Sequence, residues 1–378
     1  MSKDASTFVA GLEDVVANTS DICFVDGHEG RLIYQGYDIH DLVTGGAEFE
    51  EVIYLLWHGA LPNKKQLVAL KEEIAAQREL PNAVLQFLHS VPKDANAMSV
   101  LRTAVSLLGI YDKDDGDESI EANVRKATRL VAQLPTIVTA FERIRQGLDP
   151  VVSDSSLNTA ASFFYTLRGT KPSEFEAMAF NTALILHADH ELNASTFSAR
   201  VTAGTLSDMY SSITSAIGTL KGPLHGGANE QVMRMLLEIE DVSNAEAWIT
   251  DALAQKKKIM GFGHRVYRTE DPRATHLRKL SEKAGELAGQ TKWFQISQVV
   301  ERVVMDQKKL NPNVDFYSAS TYYAMGISTH LFTPIFACSR ISGWTAHVLE
   351  QYRNNRLIRP RAEYTGPTNC HFVPVDAR

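Results

Sequence analysis

Three short stretches of this chain carry side chains able to move protons. Pro223-Leu-His225-Gly-Gly-Ala-Asn229 and Gly261-Phe-Gly-His264-Arg-Val-Tyr-Arg268 each set a histidine in a glycine-rich turn, and Asn313-Val-Asp315-Phe-Tyr317 sets an aspartate between apolar neighbours. A histidine in such a turn presents one ring nitrogen to a ligand while backbone holds the other, which fixes its tautomer. A carboxyl flanked by Val314 and Phe316 in a dry site has its pKa raised from about 3.9 toward that of a useful general base. Taken singly, each has an ordinary structural account. Their joint presence, each in a long distinctive context, points to a catalytic set.

Basic residues crowd the same region. Lys256, Lys257 and Lys258 read as the end of a helix, where cations complement the dipole, and they stand directly before the glycine loop. Arg265, Arg268 and Arg273 follow, and Arg340, Arg353, Arg356, Arg359 and Arg361 make a second group. The formal net charge is -7, so the overall field disfavours nonspecific nucleic-acid binding and an anionic ligand needs a local basic pocket. Arginine suits planar, bidentate capture of carboxylates. At roughly 1.5–3 kcal/mol per charge-assisted bond, three converging arginines hold a small dicarboxylate. For Arg353, Arg356 and Arg361 a solvated surface charge explains the residue equally well.

His187-Ala-Asp-His190-Glu191 places two histidines near one helix face, but the zincin pattern needs His-Glu-x-x-His and a third ligand. No metal is expected, and His190 reads instead as a hydrogen-bonding ligand for substrate. No P-loop or dinucleotide fingerprint follows a strand, which argues against nucleotide hydrolysis and hydride transfer. Three scattered cysteines, Cys23, Cys338 and Cys370, without a C-x-x-C pair fit a reducing compartment. With no readable signal peptide or membrane span, the expected location is cytoplasmic.

The elements that must position these residues are mostly helices. Strand signals are confined to Ile22 to Val25 and Arg31 to Tyr34, separated by turn residues that include Asp26-Gly27. Elsewhere helical periodicity dominates. Asn63 reads as an N-cap before Leu67, Leu70 and Ile74; Ser173 with Glu176 and Ser243 with Glu246 read as capping boxes; Thr345 to Tyr352 reads as a late helix. Asp112 to Glu121 is expected to be an exposed, solvated loop. The fold class is therefore all-α, with a minor N-terminal β hairpin. A chain of 378 residues has a prior of two domains, and the glycines around His225 and His264 suit a hinge.

At these residues the chain resembles the citrate synthase family in its short bacterial and archaeal form, from Gly36-Tyr-Asp-Ile39 to Leu357-Ile-Arg-Pro360. The resemblance implies a multi-helical homodimer with a large domain (1–223 and 327–378) and a small domain (224–326) that close over the substrates. It implies condensation of acetyl-CoA with oxaloacetate and water to give citrate and CoA, with no cofactor besides the thioester substrate. Asp315 would take a proton from the acetyl methyl group, His225 would hydrogen-bond the thioester oxygen, and His264 would polarise the oxaloacetate carbonyl. His190, Arg273, Arg340 and Arg359 would bind oxaloacetate, with Arg359 reaching into the partner subunit's site. Ile259, Gly261 and Gly263 would lie in the loop that cradles the CoA adenine, with Lys258 and Arg268 as further CoA contacts. A 2-methylcitrate synthase, which uses propionyl-CoA, shares this catalytic set. One methylene is worth only about 1–3 kcal/mol of discrimination, so that alternative stands. A CoA-binding helical scaffold without catalysis would lack at least one of His225, His264 and Asp315, and all are present.

Overall fold

In the computed structural model, which describes residues 8–378, the chain opens on a small antiparallel sheet. Its strands β1 (Cys23–Asp26), β2 (Arg31–Tyr34) and β3 (Tyr37–Asp38) lie in the order β1-β2-β3. Register pairs Cys23 with Tyr34 and Val25 with Leu32, which buries all four, while Phe24 on the opposite face is exposed. The expected hairpin thus gains a third strand. Gln35 and Gly36 both adopt positive φ (48° and 88°), the backbone of a two-residue hairpin connection. Gln-Gly lacks the asparagine or aspartate that usually announces such a turn.

Sixteen α-helices follow. The first five are α1 (Ile39–Thr44), α2 (Phe49–His58), α3 (Lys64–Ala76), α4 (Asn82–Ser90) and α5 (Ala97–Ile110). Next come α6 (Ile120–Arg145), α7 (Thr159–Arg168), α8 (Glu174–His187), α9 (Ala194–Ala203) and α10 (Met209–Leu220). Then α11 (Ala228–Ile239), α12 (Val242–Ala254), α13 (Pro272–Leu287), α14 (Lys292–Lys308) and α15 (Val314–Ala324) pack chiefly on one another. The last, α16 (Phe332–Arg353), packs against α6, α9 and α10.

Several helix starts follow the sequence. Asn63 caps α3 and forms a reciprocal box with Gln66, and Ser173 does the same with Glu176 at α8. Such caps are worth about 1 kcal/mol each. At α12 the cap is Asp241, which accepts from the Ser243 amide at 2.9 Å, so the expected Ser243–Glu246 box is not made. That helix ends at Ala254, and Lys256 to Lys258 lie beyond it. The acidic stretch before α6 is an exposed loop as expected, except at its start. Arg129 holds Asp112 at 2.7 Å, and the Asp112 side chain is 1% exposed. The helix foreseen over Thr345 to Tyr352 is the end of α16, which is buried almost throughout. A helix buried on all sides has no solvent-facing stripe whose period would reveal its length. Among the described residues no helix is long and apolar enough to cross a membrane.

Candidate active site

Two loops come together to hold His264 and Asp315. Gly263 N–H donates to Asn311 O at 2.9 Å and Asn313 N–H donates to Gly261 O at 2.9 Å, around an antiparallel bridge between Phe262 and Pro312. Asn313 then does two jobs. Its Oδ1 caps α15 by accepting the Asp315 amide at 3.0 Å, and its Nδ2 donates to Gly263 O at 3.0 Å. The start of the helix that carries the carboxyl is thereby tied to the turn that carries the imidazole.

Asp315 is half-buried, and its Oδ1 is shut off from solvent with no hydrogen-bond partner among the described residues. Burial raises its pKa, Arg273 lowers it, Asp271 raises it and Arg340 lowers it, leaving it at about 7. A helix N-terminus favours a charged carboxylate, so desolvation outweighs both the arginines and the helix end. The result is a carboxylate poised to accept a proton near neutrality.

The imidazoles are neutral, with tautomers set by backbone. His264 Nδ1 accepts the amides of Val266 at 3.0 Å and Tyr267 at 3.1 Å. A backbone N–H only donates, so the ring proton sits on Nε2. Burial and then Arg273 bring the His264 pKa down to about 4. For His225 the arrangement is reversed. Its Nε2 lies 3.3 Å from the Ser195 amide and 2.8 Å from the Ser195 hydroxyl, so Nε2 accepts and Nδ1 carries the proton. Burial, then Arg340, bring His225 to about 4. His190 stands beside them, with its Nε2 3.3 Å from the Tyr267 hydroxyl and its ring 5.1 Å from that of His264. Burial, Arg273, His264 and Arg340 hold it well below the ordinary histidine range.

Two buried arginines supply positive charge. Arg340 donates from Nε to His187 O at 2.7 Å and lies over the Phe336 ring, leaving its two terminal nitrogens without a protein partner among the described residues. Burial brings its pKa down to about 10. Arg273 forms a two-pronged pair with Asp271, at 2.9 and 2.8 Å. The charge of Arg340 acts on His225, His190 and Asp315, and that of Arg273 on His190, His264 and Asp315. These four groups from α15 and three loops thus lie within electrostatic reach of two buried arginines on α13 and α16. Arg359 does not join them. It is exposed on the segment after α16.

A cleft of about 350 Å³ opens beside His225, lined in part by Lys221, Pro223, Leu224, Lys258, Met260 and His330. Lys258 lies in it; Ile259, half-buried, and Gly261, Gly263 and Arg268 do not line it. Sequence reasoning missed Lys221, although it immediately precedes the glycine turn. It also missed Asp271, although Asp271-Pro272 is a recognisable N-cap with proline at the first helical position. Ser195 and Tyr267 had no distinguishing signal. Among the described residues no three His, Cys, Asp or Glu side chains gather as a metal-binding group.

The family described as citrate synthase, C-terminal domain, matches residues 11–361. Citrate synthase 2 of Bacillus subtilis is 56% identical over 373 residues, covering 98% of this chain and 100% of that protein. The 2-methylcitrate synthase of Shewanella oneidensis is 42% identical over 372 residues, covering 98% of each. Citrate synthase from the thermophilic archaeon Thermoplasma acidophilum, solved as a ternary complex with carboxymethyl coenzyme A and oxaloacetate, has a TM-score of 0.92 at 34% identity and covers 97% of this chain and 98% of that one. Fold, site and relatives define a condensing enzyme of the acyltransferase type. The chain belongs to the citrate synthase family.

Proposed function

We propose that this enzyme condenses acetyl-CoA with oxaloacetate, using Asp315, His225 and His264 as its catalytic residues. The observations that support the reading are an unpartnered Asp315 Oδ1 on a carboxyl pushed up to about 7, and two neutral imidazoles, His225 and His264, whose donor nitrogens are fixed by backbone. Ionised Asp315 removes a proton from the acetyl methyl group. His225 Nδ1–H donates to the thioester oxygen as enolate charge develops there. The enolate carbon attacks the oxaloacetate carbonyl, and His264 Nε2–H donates to the oxygen that becomes the alcohol. Water then cleaves the citryl thioester to citrate and CoA. Arg340, with its free guanidinium end, Arg273 and His190 bind the oxaloacetate carboxylates and carbonyl.

Lys221 and Lys258 in the cleft beside His225 suit the CoA phosphates, and Ile259, Gly261, Gly263 and Arg268, outside that cleft, take the rest of the ligand once the domains close. The self-contained packing of α11–α15 supports a small domain over 224–326 that closes on a large domain formed by 1–223 and 327–378. Closure shields the enolate from water, and oxaloacetate binds first. Equal acetyl-CoA affinity with and without oxaloacetate, measured by calorimetry, contradicts that order. The segment after α16 leaves Leu357, Tyr364 and Phe372 at 58%, 70% and 83% exposure. A second copy of the chain covers such an arm and receives Arg359 in its own site, so the working unit is a homodimer in the cytoplasm with no resident cofactor.

The deciding experiment is direct product detection with oxaloacetate plus acetyl-CoA or propionyl-CoA. Citrate formed with higher kcat/KM supports this reading. Preference for propionyl-CoA supports the 2-methylcitrate reading, to which the Shewanella oneidensis relative corresponds. Asp315→Ala is expected to abolish condensation while oxaloacetate still binds.

A further inference from the structure

The turn between β1 and β2 presses on the loop that follows His264. Arg268 N–H donates to Gly27 O at 2.8 Å. A Cβ added to Gly27 would stand 2.2 Å from the Val266 carbonyl oxygen and 2.9 Å from its carbon, and one added to Gly30 would stand 2.7 Å from Thr269 Cγ2. The two glycines answer different demands. Gly30 has φ +68° and is required by the turn itself. Gly27 is outside the left-handed region, so the turn would accept a side chain there. What excludes one is the backbone of Val266.

Val266 and Tyr267 are the residues whose amides hold His264 Nδ1. The opposite end of the contact is equally fixed. Asp26 Oδ1 accepts the amides of His28 at 2.9 Å and Glu29 at 2.8 Å, which hold its carboxyl below the usual range and stiffen the turn. At the far end of β2, the Tyr34 hydroxyl lies 3.1 Å from the carbonyls of both Ile185 and Asp189, directly before His190. The sheet therefore spans from the backbone next to His190 to the backbone that orients His264.

We propose that the β1–β2 turn is a positioning element for His264, with Gly27 seating Val266–Arg268 so that the Nε2–H is held in register with His190 and the substrate carbonyl. This rests on His264 being the carbonyl-polarising donor. Gly27 touches no reacting atom and acts through the loop. A misplacement of about 1 Å costs on the order of 100-fold in rate, and a methyl at 27 forces a shift of that size in the loop backbone.

The test compares Gly27→Ala with the wild-type enzyme. Expected are a kcat lower by roughly 10- to 100-fold and a carbonyl-carbon NMR resonance of bound oxaloacetate moved toward its free value, alongside the lowered thermal midpoint that the forced contact brings. Wild-type kcat and resonance overturn the proposal, and so does a lowered melting temperature with an unmoved resonance, the mark of a purely structural contact. Should Gly27→Ala fail to fold, Asp26→Ala removes the acceptor of the His28 and Glu29 amides and loosens the turn from outside the contact. The same two readouts are expected to move in the same direction, and wild-type values overturn the proposal. His264→Ala is run in parallel. Its loss of activity beside a normal Gly27→Ala overturns the positioning role alone, whereas full activity in His264→Ala overturns both that role and the assignment of His264.

Discussion

Asp271 grips Arg273 with both carboxylate oxygens and, through Oδ2, also accepts the amide of Val314 at 3.1 Å, the residue before Asp315. One buried carboxylate thus links the arginine proposed for oxaloacetate to the helix start that carries the proposed base. Its negative charge raises the Asp315 pKa, while Arg273 lowers it. In Asp271→Asn the raising contribution disappears and the lowering one stays. The acid limb of the kcat/KM profile is therefore expected to move to lower pH, even as the maximum rate falls because Arg273 loses its anchor. Breaking a buried pair costs about 3–5 kcal/mol, read by urea unfolding. An acid limb unmoved or shifted upward contradicts the electrostatic account.

Asp315 also leaves a mark on stability. Its pKa is 3.8 when unperturbed and about 7 in the fold. Between these values the folded chain holds a proton that the unfolded chain releases, so stability falls as pH rises through about 4 to 7. At 1.36 kcal/mol per unit the penalty above pH 7 is on the order of 4 kcal/mol. Asp315→Asn keeps the shape and removes the charge. It is expected to be inactive yet more stable than wild type at pH 8, with the gain vanishing near pH 4. Denaturant unfolding at the two pH values checks this, and a variant less stable at pH 8 refutes it.

Ser195 offers a finer test of the tautomer argument. Its hydroxyl faces His225 Nε2 and accepts from Trp344 Nε1 at 3.1 Å, but the Ser195 amide also faces Nε2. Removing the hydroxyl leaves the backbone donor, so the His225 proton stays on Nδ1. Ser195→Ala is expected to lose less than about tenfold in kcat, far less than the 10²–10³ typical of a lost oxyanion donor. Orphaning the Trp344 N–H costs about 1–3 kcal/mol of stability. A loss in Ser195→Ala as deep as in His225→Ala, measured at saturating substrate, shows the hydroxyl rather than the amide to be the support.

Much of the site was legible because its chemistry sits in short local patterns. His225, His264 and Asp315 each announce themselves by a glycine turn or an apolar flank, and desolvation does push the Asp315 carboxyl up. The supporting contacts were not legible, because they join residues far apart in sequence. Ser195 meets His225 and Trp344 only after α9, the 222–227 turn and α16 have packed. The same holds for the fold. Capping boxes at Asn63 and Ser173 are local and were readable, whereas α16 has no solvent-facing stripe and showed only its last turns. Asp112 reads as solvent-facing from its acidic neighbours, yet Arg129 reaches it from one helix onward and Tyr210 from α10.

His347 carries the last prediction, since it sits in a wholly buried chain behind His190. Arg200 Nη1 donates to His347 Nδ1 at 3.0 Å, so His347 carries its proton on Nε2 and donates to Asp189 Oδ2 at 3.1 Å. Burial alone would raise the Asp189 carboxyl, but His347 and then Arg340 bring it below its ordinary value. Asp189 therefore adds stability that is present above the unfolded pKa and is lost as pH falls below it. His347→Leu leaves a buried carboxylate without its donor, at a cost of about 3–5 kcal/mol near neutral pH, and a displaced Asp189 drags on the adjacent His190. His347→Gln keeps a donor where Nε2–H stood, while Arg200 retains Glu350 and the Gln351 Oε1 at 3.0 Å. The glutamine variant is expected to recover most of the stability and the oxaloacetate KM, whereas the leucine variant raises that KM. If urea unfolding and steady-state kinetics show the two variants equally impaired, packing volume rather than the Nε2–H donor is what Asp189 requires.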